Sequence, residues 1–275
     1  MTAVSTAIAP APVRLPDLKV TQLRVIHSEW TKFRSLRSTV WTLVIAIALM
    51  IGLAALLSAV TNSEFHTLKP DEVASFNPVS ASLGGIGFAQ LAVGVLGVLL
   101  ISGEYSTGMI RASLTAVPSR LPVLWAKVVV FAGGVFALML ASSFGAFFLG
   151  QSLLGSHGVG IGYHSAVRSI FGAALYLTLA GIIGVAIGAL LRNSAGAISA
   201  FVGLFFMAPP LAMLLPSSIQ DSVTPYLPSN AGGAMYGGSS PFEHPMGPWT
   251  GFAVLAGYAV VLITAAAVRM RRTDA

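Results

Sequence analysis

Residues 103–127 read GEYSTGMIRASLTAVPSRLPVLWAK, Gly103 to Lys127. The stretch is polar, basic and short, and long apolar runs flank it on both sides. Those runs would dissolve in lipid and this stretch would not. A chain punctuated in this way reads as helices that cross a membrane, joined by segments that stay in water.

Composition agrees. Of 275 residues 55% are hydrophobic and only 9% are charged, with a mean hydropathy of +0.84. A soluble domain carries about 25% charged residues, so the chain falls in the membrane class. It has no cysteine, which removes disulfides, thiolate metal sites and a cysteine nucleophile. The net charge of +6 reads as topogenic and not as a nucleic-acid footprint.

Six apolar runs follow one another, at about Val40–Val60, Leu83–Ser102, Val123–Gly150, Ser169–Leu191, Gly196–Leu215 and Trp249–Val268. Each is near or above the roughly 20 residues that cross a bilayer. The third is long enough to tilt or protrude. An even number of spans puts both termini on one side, with all the lysines and arginines except Lys69 and Arg168. By the positive-inside bias that side is cytoplasmic. The expected fold is all-α and polytopic, one transmembrane domain over residues 20–275.

The flanks carry further signals. Residues 1–19 are rich in Ala and Pro, lack a signal-peptide core and read as a disordered cytoplasmic tail. From Val20 to Ser38, Leu23, Ile26, Trp30 and Phe33 recur at helical spacing, with Arg24, Ser28, Lys32 and Arg34 on other faces. This reads as an interfacial amphipathic helix. Between the fifth and sixth spans, the proline-rich segment from Pro216 to Pro248 reads as short external helices resting on the outer surface.

Much chemistry is absent. The chain has no P-loop, no H-E-x-x-H and no G-x-S-x-G. His66, His157, His164 and His244 are scattered over three loops without metal-ligand spacing. The span interiors lack the ionisable groups that an ion-coupled carrier needs near the midplane. Gln90 is the most polar residue deep in a span. It shares a face of the second span with Gly87, Gly94 and Gly97, which reads as close helix packing or, given the amide among the glycines, as a cavity wall. In the fourth span Gly181, Gly184 and Gly188 read as close helix packing. In the fifth, Phe201 and Phe205 line a dry seam or meet lipid tails, and Pro209-Pro210 bends or ends the helix.

Within the central stretch Glu104 lies at the membrane edge. It needs a cationic partner such as Arg111, Arg120 or a residue of another chain. Gly108 permits a sharp bend. Met109, Ile110 and Leu114 give a short helix an apolar side, Pro118 stops it, and Pro122 suits the first turn of the third span.

SEWTKFRSLRSTVWTL, from Ser28 to Leu43, and GEYSTGMIRASLTAVPSRLPVLWAKVVV, from Gly103 to Val130, carry a resemblance. Both are similar to permeases of the ABC type-2 exporter family, of actinobacterial type. The resemblance runs from about Val20 to the end. It implies a half-transporter that works as two permease chains with two separate P-loop ATPase chains. ATP and Mg²⁺ would sit on the ATPase, with no cofactor on this chain. It implies a cytoplasmic coupling helix around Glu104–Ala116, with Glu104, Tyr105, Thr107, Gly108, Arg111, Pro118 and Arg120 as coupling residues. The substrate path would take Gln90, Gly94, Phe201 and Phe205. Family substrates include drugs, peptides, lipids and glycans, and the uncharged spans favour a hydrophobic or amphiphilic one. Two other readings compete: an ion-coupled carrier, and a membrane anchor or sensor subunit that moves nothing.

Overall fold

The computed structural model describes residues 21–109, 120–237 and 246–272. Within them, α1 is Gln22–Ser35, α2 Arg37–Glu64, α3 Pro70–Ala74, α4 Pro78–Ser82 and α5 Ile86–Ser106. Then come α6 Arg120–Leu154, α7 Ala166–Leu191, α8 Ser194–Val202, α9 Ala208–Ala212, α10 Ser217–Val223, α11 Pro228–Tyr236 and α12 Pro248–Arg272. Six stretches of the described residues are long and apolar enough to cross a membrane: Arg37–Thr67, Ile86–Ser106, Leu121–His157, Ala166–Leu191, Ser194–Ala212 and Pro248–Arg272. The chain is an all-α polytopic membrane protein. The tail of residues 1–19, residues 110–119 with Arg111 and Pro118, and His244 lie outside the described residues.

The third span departs most from its expected limits. The 35 residues of α6 rise about 52 Å, against a hydrocarbon core of about 30 Å. The helix therefore protrudes, and its first two turns hold Lys127.

Burial grades the spans. α7 is the most enclosed, α5 and α6 follow, and α2, α8 and α12 lie outermost. The centre is the α5–α7 contact, and glycine makes it. A Cβ on Gly97 would strike the Gly181 carbonyl, one on Gly184 the Gly94 carbonyl, and one on Gly188 the Val98 carbonyl at 2.6 Å. Lipid offers no hydrophobic drive between helices, so close approach of backbones holds this pair together. The glycine face of α5 divides its work. Gly94 and Gly97 pack against other helices, whereas a Cβ on Gly87 would meet nothing within 4 Å.

Two features follow from local chemistry. α7 ends where Arg192 turns left-handed at φ 55° and its N–H bonds the Gly188 carbonyl at 2.9 Å. Asn193 then caps α8, accepting from the Gly196 N–H at 2.8 Å. Further on, a π-helical turn, Gly203–Met207, precedes Pro209-Pro210. Prolines give no N–H and crowd the carbonyls a turn earlier, and the wider turn accommodates both effects. The prolines thus reshape the fifth span without ending it at once.

The segment beyond Leu215 does form short helices, but α11 is not a surface element. Ala231, Gly232 and Met235 are buried. A Cβ on Gly232 would overlap the Tyr176 ring, one on Gly172 the Met235 carbonyl, and one on Gly251 the Ala231 carbonyl. Small residues let α11 wedge between α7 and α12. Pro228 starts it, and Gly237, at φ +79°, ends it.

Candidate functional site

The end of the bundle at which α1 lies holds a cluster of four charged side chains. Lys127 of α6 lies 2.6 Å from a Glu29 oxygen and 2.8 Å from a Glu104 oxygen. Lys32 lies 2.7 Å from the other Glu29 oxygen and 3.3 Å from Glu104. Lys127 is 2% exposed and Glu29 4%. Two lysines and two carboxylates cancel, which makes the burial affordable: each charge has an opposite partner within hydrogen-bond distance. The cluster joins three elements, α1 through Glu29 and Lys32, the end of α5 through Glu104, and the start of α6 through Lys127. The expected acceptor, Glu104, is in it. Its cationic partners among the described residues are Lys32 and Lys127.

Apolar contacts back the cluster. Val25 packs with Val123 and Ala126. Phe33 meets Phe131 edge-on at 6.4 Å and lies over Gly134. Gln22 donates to the Pro122 carbonyl at 3.0 Å. The buried stripe of α1 is therefore Val25, Glu29 and Phe33, whereas Leu23 and Trp30 of the expected apolar side are exposed. The partners on α6 set this choice. A Glu29 turned outward would leave Lys127 buried without its nearest carboxylate.

Burial alone would lower the Lys32 pKa. The hydrogen bond and charge of Glu29, and then Glu104, outweigh that and raise it above 10.5. The lysine is charged throughout the physiological range.

The other sequence-expected coupling residues continue from α5. Tyr105 lies under the Arg192 guanidinium at 5.0 Å, a cation–π contact. Ser102 meets Ser194 at 3.0 Å. Thr107 folds its hydroxyl back onto the Gly103 carbonyl at 2.9 Å, and Gly108 turns left-handed at φ +73°. The expected bend at Gly108 is present. Arg120 opens α6.

At the opposite end a cavity of about 1090 Å³ lies among the α3–α4 region, α5, α7, the π-helical turn, and α11. Gln90 and Phe205 border it. Gly94 and Phe201 do not; Phe201 is fully buried against Gly94 and stacks on Phe205 at 4.6 Å. The Tyr176 hydroxyl donates to Gln90 Oε1, and Gln90 Nε2 has no partner among the described residues. Burial pushes the Tyr236 phenol beside it up to about 12, so it remains protonated. Among the described residues no three His, Cys, Asp or Glu side chains gather as a metal site would require.

The family model described as "ABC-2 family transporter protein" matches residues 25–209. The chain belongs to this family. No curated protein gives a match. The chain is thus a permease of an ABC transporter, and membership implies an ABC ATPase subunit as its associate. The matched segment of the permease begins at Val25, inside the buried stripe of α1, and includes all four charges of the cluster. It ends at Pro209, before α10, α11 and α12.

Two residues of that cluster escape the sequence reading of the permease, Glu29 and Lys127. The signal was present in both. Glu29 lies four residues after Val25 and four before Phe33, on one helical stripe. A carboxylate in the middle of an apolar stripe requires a buried cation. Lys127 lies about one turn inside the expected third span and needs a buried anion for the same reason.

Proposed function

We propose that this permease works as half of an ATP-driven exporter for a hydrophobic or amphiphilic compound. A separate P-loop ATPase binds ATP with Mg²⁺, and a second permease copy, identical or related, completes the path. Both termini face the cytoplasm of the plasma membrane, as the lysine and arginine bias requires.

The observation that carries this reading is the four-charge cluster. Residues 103–127 lead from α5 into α6, and the cluster ties both ends of that segment to α1. In a site shielded from water, removing one member strands an opposite charge, so the three elements move together. A push on the segment from an ATPase then reaches the whole bundle as a rigid displacement, not as local bending. Glu104 Oε2 has no hydrogen-bond partner among the described residues. That oxygen is free to accept from a cation of the coupling segment or of the ATPase. The chain itself shows no ATP motif, which suits a division of labour between subunits.

The reading is tested by expressing the permease with a candidate P-loop ATPase and isolating one through a tag on the other. Co-purification, with ATP-dependent movement of an amphiphile in proteoliposomes, supports it. A permease that never retains an ATPase, and whose vesicles move nothing with ATP, overturns it.

A further inference from the structure

Among the described residues, Gly108, Gly155, Gly237 and Arg192 have a positive φ. Three are glycines, which have no Cβ to clash in that region. Arg192, at φ 55°, instead holds a long side chain at the position after a helix that glycine usually fills. The turn itself uses only the Arg192 N–H, which bonds the Gly188 carbonyl at 2.9 Å. Glycine would make that bond with less strain, so the turn does not explain the side chain.

Its contacts do. The Arg192 guanidinium lies 5.0 Å from the centre of the Tyr105 ring, a cation–π contact between the α7–α8 turn and the last turn of α5. Two residues on, Ser194 meets Ser102 at 3.0 Å, and Ser102 is fully buried. Ser102 and Tyr105 are three apart and share a face of α5. Glu104, two from Ser102, lies on another face and enters the ion cluster with α1 and α6. Different elements thus hold the end of α5 on two faces. Further along, a Cβ on Gly94 of α5 would strike the Phe201 ring of α8. α8 therefore meets α5 near both of its own ends, while the fifth span as a whole is little enclosed within the chain. Arg269 of α12 donates to the Leu190 carbonyl, which brings the last span to the same turn.

We propose that Arg192 is a positioning residue. Through Tyr105 it fixes the start of α8 to the end of α5, so that the fifth span follows residues 103–127 as one body with the second. The ion cluster carries a displacement into α1 and α6, and this contact carries it into α8. The proposal rests on the exporter reading for its purpose. The attachment itself needs no ATPase and is measured on the permease alone.

The chain has no cysteine, so spin labels attach only where cysteines are placed. Ser106→Cys at the end of α5 and Ala195→Cys in the first turn of α8 use exposed positions. Their distance distribution is measured by pulsed electron paramagnetic resonance in the full-length permease in nanodiscs. One narrow distance is expected. Arg192→Gly should raise the population outside that peak about two- to fivefold, the factor for loss of one exposed cation–π contact. Arg192→Lys, which retains a cation, should keep most of the peak. Tyr105→Leu should act like Arg192→Gly, and the two together should do no more than either alone. Arg192→Gly should also melt no lower than the wild type, because glycine relieves the left-handed backbone; a lower melting temperature would make the side chain a structural prop and overturn the positioning role. In the permease–ATPase complex the same variant should move less amphiphile per ATP hydrolysed. A broad wild-type distribution, or one that neither Arg192→Gly nor Tyr105→Leu changes, overturns the proposal. Full transport per ATP in a variant whose labels have spread overturns it too. Label distances that behave as expected, in a complex that moves nothing with ATP, would count against the exporter reading only.

Discussion

Lys127 is 2% exposed and lies between two carboxylates, Glu29 and Glu104. Lys127→Met strands a buried negative charge and should cost about 3–5 kcal/mol, read as a lower melting temperature in lipid-like detergent. Adding Glu29→Gln restores neutrality with Lys32 and Glu104. The double variant should be more stable than the sum of the single losses, by about 0.5–3 kcal/mol of coupling. Strict additivity would show that the side chains do not interact. Lys32 gives a pH test. Its folded pKa is raised, so its contribution is complete below 10.5 and disappears as pH climbs through the higher folded value. Wild-type stability should fall faster than that of Lys32→Met above pH 10.5 and not below it, in a pH series of melting curves. At this scale the sequence is only partly legible. Gln90 stands out because nothing near it in the span is as polar. Glu29 does not, because a carboxylate on an amphipathic helix looks solvated until its partner on α6, 98 residues away, is in place.

The helices themselves were readable because apolar length is a local property. Six stretches of the described residues are long and apolar enough to cross a membrane, as six apolar runs imply, and the Gly181–Gly184–Gly188 face of α7 packs as its spacing implies. Depth of insertion was not readable, since it depends on the neighbour. Pro228–Tyr236 looks like a surface turn in isolation and becomes a wedge only because Gly172 on α7 and Gly251 on α12 make room for it. The same holds for the two halves of the α5 glycine face, which look alike in sequence and differ in what lies opposite. This yields an element-scale prediction. Gly97→Ala places a methyl against the Gly181 carbonyl and should destabilise by about 1–3 kcal/mol. Gly133→Ala, where a Cβ meets nothing within 4 Å, should be neutral or slightly stabilising, because alanine is the better helix former by about 1 kcal/mol. Thermal melting of both variants in the same detergent checks the pair. Equal effects would mean that α5 and α7 do not meet through these glycines.

For the whole molecule, the ion cluster gathers α1, the end of α5 and the start of α6 at one end, and the cavity occupies the other. The proposed sidedness rests on the bias of the basic residues. Single cysteines in place of Ser156 should react with an impermeant reagent in intact cells, and those in place of Thr115 should not. The reverse labelling would invert the orientation. α2 and α8 leave most of their surface uncovered within one chain, which suits the seam with a second copy. Cysteine crosslinks should therefore form between copies through α8 and not through the enclosed α7. The central claim is that residues 103–127 transmit force from an ATPase into the bundle through the cluster. It is tested most directly on one purified permease–ATPase complex carrying Glu104→Gln or Arg111→Ala, by measuring transport, ATP hydrolysis and retained ATPase on the same sample. Membrane insertion and pairing of the permease should be unchanged, while transport falls, either with hydrolysis continuing or with the ATPase lost from the complex. If both variants transport at the wild-type rate with the ATPase fully bound, the stretch is an ordinary basic turn and the account is contradicted.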